Sequence, residues 1–174
     1  PAHQPVNLAG IDAVARLWPH MPQAACFDTA FHRSIPRVAQ LFPIPRALSD
    51  AGLIRYGFHG LSYQHVADVM RARGQAQPFR RVLAAHLGNG ASLCGLKDGV
   101  SVATTMGLTA LDGLMMGTRS GAIDPGLVLH LIEQQGMTPA DVGNLLHKSS
   151  GLLGVSGISG DMRELEMSAA PEAA

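Results

Sequence analysis

The feature that most constrains this chain is a run of three short apolar stretches, separated by tight-turn signals, between Arg81 and Thr104. Arg81-Val82-Leu83-Ala84-Ala85-His86, Ala91 to Leu96 and Val100 to Thr104 each have the length of a strand. Between them stand Gly88-Asn89-Gly90 and Lys97-Asp98-Gly99, residues that tolerate the backbone angles of hairpin turns. The spacing predicts an antiparallel meander, and what flanks it is helical in pattern.

On the N-terminal side, Asn7 to Leu17 reads as a helix with Asn7 as cap, Leu8, Ile11, Val14 and Leu17 on one face, and Pro19 as stop. Ala24-Ala25-Cys26-Phe27 reads as a short buried strand that delivers Asp28 at its C-terminal end. Three prolines between Ile35 and Pro45 break regular structure. Ser62 opens a helix with Val66, Val69 and Met70 on one face, and Gly74 closes it. Beyond the meander, Asp124-Pro125 starts a helix running to Gly136, and Thr138-Pro139-Ala140-Asp141 forms a capping box for another. Ser149 to Gly160 reads as a Gly/Ser loop leading into a helix that starts near Asp161. The order implies α/β or α+β, and fold alone decides no function.

Composition narrows the classes. With 47% hydrophobic and 15% charged residues the chain has material for a core and lacks the charge density of a disordered segment. Thirteen Lys+Arg offset thirteen Asp+Glu, so the basic footprint of a nucleic-acid binder is missing. No apolar run reaches the roughly 18 residues of a membrane span. Cys26 and Cys94 each sit inside an apolar run, which fits a reducing compartment better than a disulfide framework. The chain opens on Pro1 and ends in Ala/Pro/Glu filler, and reads as part of something longer.

Polar residues flanked by small ones cluster in four places: Phe27-Asp28-Thr29, Tyr56-Gly57-Phe58-His59-Gly60, His86-Leu87-Gly88-Asn89-Gly90 and Gly117-Thr118-Arg119-Ser120-Gly121. Glycine beside a polar side chain lets another group approach the backbone closely. Gly88-Asn89-Gly90 reads either as a plain hairpin turn or as a loop offering N–H groups to a phosphate. Taken alone, His59 reads as a core histidine bonded to backbone. Arg119, an obligate cation in an apolar, glycine-rich setting, calls for an anion, either a carboxylate such as nearby Asp124 or a phosphoryl ligand. The histidines are scattered and neither cysteine has a CxxC neighbour, so no metal cluster is expected.

Taken together and in order, FDTAFHRSIP, RYGFHGLSYQHV, AAHLGNGASL, TTMGLTALDGLMMGTRSGAIDPG and SGISGDMRELE resemble the acetate kinase family, from Ala2 to about Glu166. That family shares a superfamily with sugar kinases, actin and the ATPase of heat-shock chaperones. The resemblance implies an α/β, actin-like ATPase (ribonuclease H-like) fold, here incomplete, with a mixed sheet and flanking helices. It also implies that residues 1–31 end an N-terminal domain and 32–174 form part of a C-terminal nucleotide-binding domain. The implied activity is Mg²⁺-dependent, reversible transfer of the ATP γ-phosphoryl group to acetate, giving acetyl phosphate and ADP, by a cytoplasmic homodimer with no nucleic-acid or membrane partner.

Residue by residue, the resemblance makes Asp28 the active-site aspartate, His59 and Arg119 the groups that meet the transition state, and Phe58 part of the pocket for the substrate's alkyl group. His86, Leu87, Gly88, Asn89 and Gly90 match the loop on the ATP phosphates. Asp161, Met162 and Arg163 match the nucleotide's adenosine end, and His3 a histidine near the site. Two departures stand out. Thr109-Ala110-Leu111 replaces the commoner Thr-Pro-Leu, which implies a looser alkyl pocket and use of propionate. Gly60-Leu61-Ser62-Tyr63 replaces Gly-Thr-Ser-His. Family members are also more than twice this long, and their N-terminal phosphate loop, C-terminal nucleotide loop and Mg²⁺ glutamate have no counterpart here. The stretch by itself is therefore expected to be inactive, with the Mg²⁺ ligands elsewhere. Two alternatives are a kinase for propionate or another short-chain acid, and a non-catalytic nucleotide-binding module.

Overall fold

A computed structural model describes residues 4–73 and 80–173. In chain order the helices are α1 (Gln4–Leu17), α2 (Arg37–Gln40), α3 (Arg46–Asp50), α4 (Gly60–Ala72), α5 (Pro125–Glu133), α6 (Pro139–Lys148), α7 (Gly151–Ser156) and α8 (Met162–Met167). Single 3-10 turns occupy Ala30–Ser34 and Pro171–Ala173, and the strands are β1 (Arg81–Leu87), β2 (Ala91–Lys97) and β3 (Val100–Thr104). The strands form one antiparallel sheet in the order β1-β2-β3, with Ala84 opposite Cys94 and Cys94 opposite Thr104. This is the meander the turn residues predict. Asp98 (φ 53) and Gly99 (φ 77) both take the left-handed angles that match a two-residue hairpin to the strands' twist.

Alternation along β2 turns Ser92, Cys94 and Leu96 to one face, all fully or nearly buried. Against that face pack Tyr63 and Ala67 of α4, with Ala84, Phe31 and Val82 completing the cluster. A second cluster, Ala91, Met106 and Met116, gathers Phe58, Ala110 and Leu114 around it. Met106 and Met116 are almost wholly buried, and burial of a side chain that size stabilises by roughly 1.5–3 kcal/mol. Arg55 braces the segment that carries Met106: its Nη1 donates to the carbonyls of Thr105 and Met106 and to Asp112 Oδ2.

Several sequence expectations are corrected. Residues Ala24 to Phe27 form no strand; the segment is exposed and irregular, because β1, β2 and β3 pair only with one another among the described residues. The first helix begins at Gln4, so Asn7 lies inside it, and none of its residues is buried. Helix α4 starts at Gly60 behind a left-handed His59, and Ser62 lies within its first turn. Its buried residues are Gly60, Tyr63 and Ala67 rather than the Val66 face, since the sheet lies on the Tyr63 side. Gly74 falls outside the described residues. Pro36 and Pro45 immediately precede α2 and α3; a fixed φ near the start of a helix initiates turns as readily as it ends them. Helix α7 lies inside the Gly/Ser segment, held by Leu152 N–H to Met116 O and Leu153 N–H to Gly117 O.

The other helix signals stand as read. Asp124 accepts from Gly126 N–H at the start of α5, where Pro125 is the first residue. Thr138 and Asp141 form a complete capping box on α6, and Asp161 caps α8 through Arg163 N–H. Among the described residues no helix is long and apolar enough to cross a membrane. Both cysteines are free, Cys94 buried and Cys26 exposed.

Candidate active site

Asp28 sits between the exposed N-terminal segment and the 3-10 turn, facing the start of α4. Its Oδ2 accepts the His59 N–H at 2.6 Å and its Oδ1 the Leu61 N–H at 3.2 Å. A carboxylate at the N-terminus of a helix meets unpaired N–H groups and the positive end of the dipole. That contact holds His59 in its left-handed conformation (φ 59). The carbonyl before it, Phe58 O, is held at 2.8 Å by buried His32, whose Nδ1 is bonded to Ser101 Oγ. His59 is thus clamped on both sides.

Its ring is clamped as well. Nδ1 lies 2.8 Å from Ser92 Oγ, which also meets the Tyr63 hydroxyl at 2.5 Å. The His86 ring stacks on His59 with centroids 3.9 Å apart, and Ser62 Oγ holds His86 Nδ1 at 3.0 Å. Burial, His86 and Arg119 outweigh the opposing pull of Asp28 and lower the His59 pKa to about 4. At neutral pH the imidazole is therefore an uncharged hydrogen-bonding group.

Arg119 arrives on the loop between β3 and α5. This loop is fixed by Met116 N–H to Arg119 O, Ser120 N–H to Leu146 O and Thr118 Oγ1 to His147 O. Its Nη1 donates to Ala110 O at 2.7 Å. Asp124 is not its partner: that carboxylate caps α5, and among the described residues no carboxylate lies within ion-pair distance of Arg119. Burial lowers its pKa. A Cβ on Gly90 would fall 2.6 Å from Arg119 Nη2 and 3.1 Å from His59 Nε2, so both nitrogens converge over a backbone that only glycine leaves bare.

Beside that point opens a cavity of about 640 Å³, within the usual size range for a small-molecule site. Leu87, Gly88 and Asn89 form one wall, Met115, Met116, Gly117 and Leu152 another, and Asp161, Met162 and Arg163 the far end. Gly117 N–H reaches Asn89 O at 3.4 Å, joining the hairpin to the Arg119 loop. Asp161 and Arg163 pair at 2.6 Å, and the hydrogen bond from the Arg163 side chain is the main cause of the fall in Asp161's pKa to about 2.

The structure thus brings His59 Nε2 and Arg119 Nη2 together over Gly90, with Asp28 bonded to the His59 backbone, and places Leu87, Gly88, Asn89, Asp161, Met162 and Arg163 around the adjoining cavity. His86 stacks on His59 instead of lining the cavity. Phe58 and Ala110 share one apolar cluster, and His3 lies outside the described residues. Ser92, His32 and the wall formed by Met115 and Leu152 were missed by sequence reasoning. The signal for Ser92 was a hydroxyl standing in the buried stripe with Cys94 and Leu96. Among the described residues no three His, Cys, Asp or Glu lie together as a metal site.

Comparison with known proteins identifies the family. The chain is 55% identical over 174 residues to an acetate kinase of Rhodopseudomonas palustris, covering 99% of this chain and 44% of the relative. It is 54% identical over 166 residues to one of Methylocella silvestris, covering 95% and 41%. Among solved structures, a Francisella tularensis propionate kinase superposes with TM-score 0.90 at 40% identity, covering 97% of this chain and 44% of that one. A Porphyromonas gingivalis acetate kinase gives TM-score 0.84 at 41% identity, covering 93% and 41%. The chain therefore spans less than half the length of these relatives. The model of the acetokinase family matches residues 1–174, and with the whole chain matched, the chain belongs to the acetokinase family.

Proposed function

We propose that the protein carrying this chain is an acetate kinase, transferring the γ-phosphoryl group of ATP to acetate to give acetyl phosphate and ADP, reversibly. The observation that carries this reading is Arg119. A half-buried guanidinium with no carboxylate partner among the described residues converges with His59 Nε2 beside a cavity of nucleotide size. Burying a cation without an anion is unfavourable, and a phosphoryl group supplies the missing charge.

Acetate, with a pKa on the order of 4–5, is already ionised at neutral pH, so no base has to remove a proton. The barrier lies in bringing one anion against another. Arg119 offers a permanent charge and His59 a neutral donor to the equatorial oxygens of the group in flight, while the protein holds the attack in line. Asn89 and the backbone of Gly88 and Gly90 hold the nucleotide phosphates; Asp161, Met162 and Arg163 flank its nucleoside end. Asp28 positions His59 through its backbone, and a general base has no task here. Bound Mg²⁺ would neutralise phosphate charge, and the steps assigned to the described residues do not run through the ion. Family membership further supports a cytoplasmic homodimer with no nucleic-acid or membrane partner.

One observation favours propionate as a second substrate. Ala110, smaller than the proline common at its position, packs with Phe58 in the same apolar cluster, and one similar structure is a propionate kinase. The test is acyl phosphate trapped as hydroxamate, made from ATP, Mg²⁺ and acetate or propionate by the protein carrying this sequence. Arg119→Ala is expected to lower the rate by on the order of 10³-fold; this stretch alone is expected to show no turnover. Nucleotide binding without acyl phosphate from the whole protein would replace the kinase reading with that of a binding module.

A further inference from the structure

We propose that Tyr63, acting through Ser92, fixes which nitrogen of His59 carries the proton, so that Nε2 faces the reaction only as a hydrogen-bond donor. The importance of that donor rests on the kinase reading above; the tautomer itself is a property of the resting protein. Both are positioning residues, since neither reaches the space over Gly90.

The argument follows hydroxyl protons inward. Tyr63 is 1% exposed and Ser92 fully buried, so neither hydroxyl can turn to solvent. Among the described residues the Tyr63 hydroxyl has one acceptor within reach, Ser92 Oγ at 2.5 Å. The backbone group beside the phenol oxygen, His86 N–H, is itself a donor. Burial raises the phenol's pKa, so its proton is present throughout the working pH range and must be donated to Ser92. The Ser92 hydroxyl has one other neighbour, His59 Nδ1 at 2.8 Å, and one proton of its own to give. It donates that proton to Nδ1, which is then the unprotonated nitrogen, leaving the hydrogen of neutral His59 on Nε2. The reverse chain would leave a buried phenolic O–H without an acceptor, which native structures avoid.

A second observation points the same way. Arg119 Nη2 and His59 Nε2 converge over Gly90. A lone pair on Nε2 would accept from the guanidinium, and the two groups would satisfy each other. With hydrogen on Nε2 both are donors aimed into the same space, which suits an acceptor oxygen and an anionic one best. The charged and titratable groups that bear on His59, namely His86, Asp28, Arg119 and His32, do not bond either ring nitrogen. They leave the tautomer to Ser92. Histidine, the commoner residue at position 63, could exchange donor and acceptor nitrogens; a phenol cannot.

Long-range proton–nitrogen correlation spectra of the histidine-labelled chain at pH 7 read the tautomer directly, with His59→Gln assigning the signal. A single Nε2–H form is expected in the unaltered protein. Tyr63→Phe and Ser92→Ala should each introduce the Nδ1–H form. In the protein carrying this sequence they should lower kcat by about threefold to tenfold, less than deleting a donor outright, with KM for ATP unchanged. An Nδ1–H form in the unaltered protein overturns the proposal even if a variant fails to fold, and so does an unshifted tautomer in both folded variants. Absence of acyl phosphate from the whole protein would sink the kinase reading, while the spectrum would still decide the tautomer.

Discussion

At one end of the candidate site, Asp161 and Arg163 stand two residues apart at the exposed start of α8 and pair with each other at 2.6 Å. At the other, Asp28, His59, Ser92 and Arg119 come from four separate segments: Asp28 and Ser92 are bonded to His59, and Arg119 donates to Ala110 O. The difference is one of solvent. The Asp161 carboxylate is shifted by a local partner in water, where pairs are screened and contribute little. His59 is shifted first by burial, in surroundings where each charge and dipole acts more strongly. The exposed end can orient a ligand, whereas the buried end can stabilise charge that appears only in flight.

Arg119→Ala tests that contrast most severely, with the on-the-order-of 10³-fold loss expected above and little change in nucleotide affinity. Next comes Gly90→Ala. The added Cβ would lie 2.6 Å from Arg119 Nη2 and 3.1 Å from His59 Nε2, both the far ends of side chains. The backbone need not move, so the chain should still fold, with thermal unfolding lowered only as far as the bonds from His59 to Ser92 and from Arg119 to Ala110 are disturbed. The two donors must swing apart, and misplacement of about 1 Å costs on the order of 10²-fold in rate. Unaltered kcat in Gly90→Ala would mean that the point over Gly90 is not where the phosphoryl group passes.

Legibility in the sequence divides along the same line. Local signals carried through: the Asp98-Gly99 turn, the Asp124 and Thr138 caps and the Asp161 cap each need only residues within a few positions. The meander followed from turn chemistry. What failed depended on distant partners. Ala24 to Phe27 has a strand's composition but no strand beside it among the described residues, and strand pairing is a non-local event. The face of α4 was misjudged because Val66, Val69 and Met70 are the more apolar side, while the sheet selects Tyr63 and Ala67. Motif singled out Asp28, His59 and Arg119 as candidates, yet motif could not show that Ser92 joins Tyr63 to His59, nor that Arg119 has no acidic partner among the described residues.

The pH dependence of stability should separate the two ends next. The His59 pKa falls to about 4 in the folded chain from 6.5 unfolded, so between those values the unfolded state binds the extra proton. Its contribution is complete above pH 6.5 and is lost as pH falls toward 4. His32, lowered mainly by burial, acts in the same direction. Urea midpoints at pH 7.5 and 5 should therefore fall more for the unaltered chain than for His59→Gln, with a residual slope from His32. Equal slopes would show that His59 is not desolvated. Above pH 6.5 the neutral donor persists, so kcat/KM should not drop as pH rises through the ordinary histidine range.

The smallest effect is expected at the exposed end. Asp161→Asn keeps a residue that caps helices as well as aspartate does, and so preserves the acceptor for Arg163 N–H while removing the ion pair to its side chain. Since that pair is solvated, the urea midpoint at pH 7 should not move. Arg163, no longer held beside Asp161 Oδ2 at 2.6 Å, loses its fixed position at the end of the cavity. Nucleotide affinity should weaken by about threefold, within the range of a lost exposed pair, with kcat unchanged. Calorimetric titration with a non-hydrolysable ATP analogue measures the first and the hydroxamate assay the second. A fall in kcat as large as that of Gly90→Ala would erase the distinction between an orienting end and a charge-stabilising end, because an exposed local pair would then be governing the chemistry.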